Sequence, residues 1–171
     1  MTQDLTKDAF LGGKLHLFQP RYGYRAGVDS VLLAATVPAQ SGDRVLDLGC
    51  GVGTAALAPE NCGGSFEVVT ADLTDLPLGL RQRQFDHVLA NPPYYDRAKG
   101  RAASDLGREA ALGEATPLKD WVKVAARRLA PKGYAHFIHR VERLPEILNT
   151  MTGRLGSIEV LPLCPRIGRP V

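Results

Sequence analysis

The stretch that decides the fold reads Phe85-Asp86-His87-Val88-Leu89-Ala90-Asn91-Pro92-Pro93-Tyr94-Tyr95. Its apolar run stops at an asparagine, two prolines and two tyrosines, which predicts a buried strand followed by a rigid polar and aromatic loop. Open α/β sheets bind their ligands at the carboxyl ends of the strands. The sequence therefore predicts a binding site immediately after Ala90.

The side chains of this loop suit a primary amine on a flat ring or amide. A carboxamide oxygen and a backbone carbonyl beside a proline, which has no N–H to donate, can accept both amine hydrogens. An aromatic ring can stack on the group that carries the amine. The alternative is that Asn-Pro-Pro is only a turn after a strand.

The overall composition predicts one ordinary globular domain. The chain has 171 residues, of which 44% are hydrophobic and 23% charged. It has no apolar run near the roughly 20 residues of a membrane helix, and residues 1–8 do not resemble a secretory signal. We therefore expect a cytoplasmic protein.

The spacing of the cysteines and the net charge restrict the kinds of metal site, cross-link and binding partner that we expect. Cys50, Cys62 and Cys164 are scattered and lack Cys-x-x-Cys spacing, which argues against a zinc site or a disulfide framework and indicates reduced thiols. The net charge of +3 is a mild basic bias that permits a nucleic-acid partner without requiring one.

A small basic cluster follows the Asn-Pro-Pro-Tyr loop directly. Most clusters of this kind are solvated faces of the protein. This one lies beside the predicted site, which makes its members candidates for phosphate contacts. They are Arg97, Lys99 and Arg101.

A second strong signal is a glycine-rich turn at residues 44–54, where a short strand and an acid precede glycines at alternate positions. Gly49, Gly51 and Gly53 allow a sharp turn and a close approach to a ligand, and a helix is predicted to begin at Thr54. Asp47 at the strand end favours an amine or ribose hydroxyls over a pyrophosphate. The pattern indicates a site for a cationic amino-acid nucleoside, although plain tight-turn chemistry gives the same spacing.

The N-terminal region predicts a lid. Residues 15–18 suit a short strand or hairpin arm, and a loop rich in glycine, aromatics and arginine follows at residues 19–30. Asp29 or Ser30 is predicted to cap a helix that runs to about Val37.

The rest of the chain alternates predicted strands and helices. Strands are expected at residues 66–72, 134–139 and 157–163, and helices at 117–129 and 141–151. His136 and His139 fall on opposite faces of their strand, so no metal site is expected from them. Residues 54–65 are too short, and too soon interrupted by Pro59, for an ordinary crossover between parallel strands.

The order of these motifs resembles that of the S-adenosylmethionine-dependent class I methyltransferases, and Asn91-Pro92-Pro93-Tyr94 resembles the motif of those that methylate exocyclic or amide nitrogens. The segment at residues 19–33 is similar to that of the bacterial tRNA(Val) adenine amino-methyltransferases. The resemblance implies a Rossmann-like α/β fold, with a mostly parallel twisted sheet and helices on both faces. It also implies a single methyltransferase domain over residues 1–171, with a lid and cap region at 1–40 and the core at 41–171.

The sequence departs from that family in two places. The family places a second strand and a further helix between the glycine turn and the strand expected at residues 66–72, and a final strand beyond Val171. We therefore expect an incomplete core, either because residues are missing from the sequence or because of a natural deletion.

The resemblance also implies roles for individual residues. It places the cofactor S-adenosyl-L-methionine on the glycine turn with Asp47, on Asp72 and Leu73 at its adenine, against Asn91, and under a loop with Tyr24, Arg25 and Asp29. Asn91 and Pro92 would accept hydrogen bonds from the amine, and Tyr94 would stack on the base. The remaining predicted substrate contacts are Pro93, Tyr95, Arg97, Lys99 and Arg101.

Three functions follow from these patterns. The first is methylation of the exocyclic amino nitrogen of adenine in RNA, with tRNA as partner, by a monomer or homodimer without a metal. The second is methylation of a protein glutamine amide, as in the release-factor enzymes, against which the absence of a helical domain before the glycine turn counts. The third is a non-catalytic remnant that binds RNA.

Overall fold

The structure, a computed structural model, describes residues 4–22, 25–57, 65–96, 113–114 and 116–163, with the backbone alone at 95–96 and 113–114. The strands are β1 (Leu5–Phe10), β2 (Leu15–Pro20), β3 (Val45–Leu48), β4 (Phe85–Ala90), β5 (Tyr95–Asp96), β6 (Gly113–Glu114) and β7 (Leu129–Phe137). The helices are α1 (Val28–Ala35), α2 (Thr54–Leu57), α3 (Leu78–Arg81), α4 (Leu118–Arg128) and α5 (Leu144–Met151), with 3-10 turns at Leu11–Gly13 and Val141–Arg143.

A parallel sheet in the order β3-β4-β7 forms the centre of the molecule. Val88, Leu89 and Ala90 of the middle strand are fully shielded from solvent, at 0% exposure. A continuous apolar run is typical of a parallel strand covered on both faces. The prediction of a buried strand leading into the Asn-Pro-Pro-Tyr loop is therefore confirmed.

Helices cover both faces of this sheet. Val88 and Ala90 pack with Ala125 of α4, while Leu89 packs on the opposite face with Leu33 of α1 and Ala55 of α2. Successive side chains of a strand point to opposite faces, which explains this division. The coarse prediction, an α/β protein with a parallel sheet, is confirmed.

An N-terminal hairpin of β1 and β2 anchors the start of α1. Gln19, which is buried on β2, donates from Nε2 to Asp8 Oδ2 at 2.7 Å, and the Ala26 N–H donates to Gln19 Oε1 at 2.7 Å. The expected hairpin arm is confirmed. Because a buried amide needs partners, this pair of bonds fixes the path of the chain into α1.

The expected cap of α1 is wrong. The helix begins at Val28, one residue after Gly27, and no side chain caps its amino end. Asp29 lies inside the first turn, where its Oδ2 accepts a hydrogen bond from the Tyr94 hydroxyl at 2.7 Å. The Asp29 carboxylate therefore bonds to a residue distant in sequence, although local sequence rules assign it to helix capping.

Two expected strands are also wrong. Residues 66–71 and 157–163 form no strand, and several of their apolar side chains are exposed, such as Val68 at 82% and Leu161 at 70%. A strand is stabilised by hydrogen bonds and side-chain pairs with a neighbour. In the part of the chain that the structure describes, neither segment pairs with a strand.

The other predicted elements form with shifted ends. Helix 117–129 is α4, the strand expected at 134–139 is β7, which starts and ends earlier, and helix 141–151 is the Val141–Arg143 turn followed by α5. In the described ranges no helix is long and apolar enough to cross a membrane. No group of three or more His, Cys, Asp or Glu side chains suited to a metal occurs among the described residues.

We predict that Gly133→Ala destabilises the sheet and that Gly156→Ala does not. A Cβ at Gly133 would lie 2.8 Å from the Asp86 carbonyl oxygen, which is backbone of β4 and cannot move aside, whereas a Cβ at Gly156 meets nothing within 4 Å. We expect the free energy of unfolding in urea to fall by about 1–3 kcal/mol for Gly133→Ala. Equal stability of the two variants would contradict the close contact between β7 and β4.

Candidate active site

The carboxyl ends of β3 and β4 meet at one small cavity. We call residues 49–53 the glycine loop and residues 91–94 the NPPY loop. The register pairs Leu48 with Ala90, so the two loops leave the sheet side by side. Together with the start of α1 they enclose a cavity of about 30 Å³, whose lining includes Ser30, Asp47, Gly49, Gly51, Thr54 and Asn91. A cavity therefore lies where the sequence predicts a binding site.

The glycine loop has the backbone that the sequence predicts. Gly49, Gly51 and Gly53 adopt φ of +69°, +56° and +83°, a region that favours glycine. At Gly49 space also matters, because a Cβ would lie 2.6 Å from Cη2 of Trp121 on α4. The loop thus rests directly on a helix of the opposite layer.

The carboxyl of Asp47, near the end of β3, is buried where its ionised form is disfavoured. Burial raises the pKa of its carboxyl from 3.8 to about 6, and a hydrogen bond from the Ala56 backbone offsets only part of that increase. Its Oδ2 is buried and has no hydrogen-bond partner. A cation or N–H donor at this atom would favour the ionised carboxylate.

Three buried oxygens without hydrogen-bond partners belong to residues that line this one cavity. They are Asp47 Oδ2, Thr54 Oγ1 and Asn91 Oδ1. Buried polar atoms without partners cost free energy and are rare in folded proteins. Since a carboxylate and a carboxamide oxygen only accept hydrogen bonds, the cavity is suited to a ligand rich in N–H donors.

The NPPY loop is held at both sides. The Tyr94 hydroxyl donates to Asp29 on α1, and its ring packs edge-on against His139, with centroids 5.4 Å apart. His139 Nε2 lies 3.3 Å from the Pro93 carbonyl oxygen, and Pro92 is fully buried. The predicted stacking of Tyr94 on a base stays a prediction.

Other predicted cofactor residues lie away from the cavity lining. Arg25 forms an ion pair with Asp8 and donates to Thr6 Oγ1 at 2.9 Å, so it contacts the hairpin. Asp72 is exposed and accepts from the Thr74 N–H at 2.7 Å and from its hydroxyl at 2.6 Å, which lowers the pKa of the carboxyl. Leu73 packs against the core beside α4. Their cofactor roles stay predictions.

Some predicted residues lie outside the described part of the chain. Tyr95 is described by its backbone alone, as part of β5. The substrate and lid contacts that fall beyond the described residues are Tyr24, Arg97, Lys99 and Arg101. Cys50 on the glycine loop is a free thiol, as expected, and the other two cysteines also lie outside.

Three residues of the site were missed by sequence reasoning. Thr54 contributes a cavity oxygen, and its position directly after the last glycine was the available signal. Trp121 supports Gly49, and His139 contacts Pro93. These last two contacts join distant parts of the chain, so no local pattern could have identified them.

A parallel sheet, a glycine loop after one strand and an NPPY loop after its neighbour are consistent with the α/β methyltransferase class. No protein-family model matches the chain. It is similar to three proteins named tRNA1(Val) (adenine(37)-N6)-methyltransferase, at 27% identity in Haemophilus influenzae, 29% in Shewanella halifaxensis and 27% in Shewanella baltica. The resemblance to that family is confirmed.

The extent of these matches differs between the relatives. They cover 73%, 82% and 94% of this chain, and 65%, 69% and 79% of the respective relatives. The Shewanella baltica alignment runs over 194 positions, whereas this chain has 171 residues. That relative therefore contains residues within the aligned region that have no counterpart here.

We predict that Asp47→Asn stabilises the free protein in a pH-dependent way. Because burial raises the pKa of Asp47 to about 6, its contribution to stability is present near pH 4 and is lost as the pH rises through 6. We expect Asn to be more stable than Asp by up to ~3 kcal/mol above pH 7, and by little below about pH 4. Urea unfolding of both proteins across this range measures the difference, and a gap independent of pH would contradict the shifted pKa.

Proposed function

We propose that this protein is an S-adenosylmethionine-dependent methyltransferase that methylates the exocyclic amino nitrogen of adenine in tRNA. The observation that carries the proposal is the buried Asn91 Oδ1 without a partner, on the same cavity as Asp47. An acceptor held there suits a primary amine. The names of the relatives support adenine in tRNA as the substrate class.

The residues present fit one end of the cofactor. S-adenosylmethionine would supply an electrophilic methyl group beside Asn91. Its cationic α-amino group matches the Asp47 carboxylate, which lacks a partner at Oδ2, and the glycine loop offers backbone without side chains for close approach. The adenosine end has weaker support, because Asp72 is exposed and already bonded to Thr74.

The chain's own residues would prepare the amine. Asn91 Oδ1 and the Pro92 carbonyl would accept its two hydrogens, which draws the nitrogen lone pair out of conjugation with the ring. The amine is neutral, so no strong base is required, and most of the rate would come from in-line positioning. Tyr94, held by Asp29, would form one wall for the base.

The remaining parts of the proposal concern the wider protein. A base paired or stacked in tRNA must be turned out to reach this cavity. Arg97, Lys99 and Arg101 would contact phosphates, which makes binding sensitive to salt. A single Rossmann-like domain over residues 1–171, with residues 1–40 as lid and cap, and a cytoplasmic location complete the proposal.

The decisive experiment combines cofactor binding with methyl transfer. The purified protein is titrated with S-adenosylmethionine by calorimetry, then incubated with labelled cofactor and a tRNA(Val) transcript, with adenine 37 replaced by guanine in a control transcript. We expect micromolar binding and label in the first transcript only. Binding with label in protein glutamine would favour the release-factor alternative, and RNA binding without cofactor binding would favour the non-catalytic remnant.

We predict that Asn91→Ala removes turnover without removing the cofactor. The carboxamide accepts from the amine and not from the cofactor's cationic end, so kcat should fall about 100-fold or more while the Kd for S-adenosylmethionine changes by less than about threefold. Asn149→Ala on the exposed surface of α5 is the matched control and should leave both unchanged. Equal loss of binding and turnover would assign Asn91 to the cofactor instead.

We predict that acid weakens cofactor binding through Asp47. Below pH 6 the carboxyl of the free protein takes up a proton, because burial raises its pKa to about 6, and a neutral acid attracts the ammonium group less. The Kd should increase by up to about tenfold per pH unit below 6. In Asp47→Asn, binding should be weaker at pH 8 and should lose this dependence, and a Kd independent of pH in the wild type would remove Asp47 from the cofactor site.

A further inference from the structure

His139 lies just beyond the end of β7, beside the NPPY loop. The Ile138 N–H donates to the Ala90 carbonyl at 3.2 Å, which continues the pairing of β4 and β7 to the last residue before that loop. The half-buried His139 ring follows directly. Its position therefore depends on the same register that places Asn91.

The hydrogen bonds of His139 assign its tautomer. The Arg140 backbone N–H donates to Nδ1 at 2.9 Å, so Nδ1 carries no proton. The proton of the neutral ring is then on Nε2, which is 3.3 Å from the Pro93 carbonyl oxygen and donates to it. The backbone thus orients the imidazole so that its one N–H points at the loop.

This bond contacts the middle of the NPPY loop. Pro93 has no N–H, so its carbonyl is the one backbone group through which this residue can form a hydrogen bond, and His139 lies against that carbonyl. His139 also contacts the edge of the Tyr94 ring, whose hydroxyl is bound by Asp29 on the far side. The loop is therefore fixed at its backbone by β7 and at its side chain by α1.

We propose that His139 is a positioning residue of the methyl transfer, acting through Pro93 and Tyr94 to hold Asn91 and the Pro92 carbonyl in the geometry that accepts the substrate amine. This role rests on the proposed function. It differs from a general structural role, because loss of the Nε2 donor should change the rate of the bound complex more than affinity or folding.

Two substitutions separate the donor from the ring. His139→Phe keeps an aromatic edge for Tyr94 and removes the N–H, whereas His139→Gln removes the ring and keeps an N–H donor of similar reach. His16→Phe, on the exposed face of β2, is the matched control for the change of residue type. For each protein we would measure kcat, the KM for tRNA, the cofactor Kd and the urea midpoint.

We expect His139→Phe to lower kcat about tenfold, the effect of one hydrogen bond, with KM, Kd and the urea midpoint nearly unchanged. His139→Gln should keep kcat within about threefold of the wild type, and the control should match it. Equal loss of kcat in the Phe and Gln variants, or a change in Kd and midpoint without a change in kcat, would overturn the proposal.

A readout without turnover keeps this test separate from the proposed function. Nitrogen-15 NMR of the histidine rings should show the Nε2–H tautomer at His139, and amide hydrogen exchange at Tyr94 and Tyr95 should be faster in the Phe variant than in the Gln variant. These results without any methylation by the wild type would retain the positioning of the loop and refute the methyltransferase. The Nδ1–H tautomer, or exchange equal in both variants, would refute the positioning itself.

Discussion

The pairing of β4 with a parallel strand on each side is the constraint on which the rest of the structure depends. Its side chains are buried on both faces, so the strand can occupy only the middle of the sheet. The register with β3 brings Leu48 level with Ala90, and the extension toward Ile138 brings β7 to the same height. Because the three strands end together, Asp47 and Asn91 line one cavity and His139 contacts Pro93 in the loop that begins at Asn91.

The buried polar groups of the candidate site lower the stability of the free protein, and the rest of the fold offsets this loss. Buried oxygens without partners and a carboxyl with a raised pKa all destabilise the free protein. Their concentration in one cavity separates them from ordinary packing defects, which would be scattered. Apolar burial around Val88 and Leu89 supplies the stability that permits this cavity to stay polar and ready for a ligand with N–H donors.

The predictions made from the sequence are confirmed where the physical cause of an element is local. The apolar run before Asn91 and the alternate glycines after Asp47 each determine their own backbone, so the strand, the turn and the place of the cavity between them could be predicted. The strand expected at residues 66–72 failed because its formation requires a neighbour that local patterns do not reveal. The cap assigned to Asp29 failed for a related reason, since Tyr94, distant in sequence, takes its carboxylate.

The need for neighbouring strands also distinguishes the two ends of the proposed cofactor site. The end at Asp47 and the glycine loop needs only β3, β4 and the start of α1, all of which the chain supplies. The end at Asp72 needs a strand ending beside the glycine loop, yet that segment is exposed and its carboxylate is satisfied within its own turn. The resemblance places a strand and a helix between these parts, and a relative aligned over more positions than this chain has residues contains additional residues. In the family's arrangement a strand in that place would lie beside residues 66–72, whose exposed apolar side chains pair with no strand in the described part of this chain.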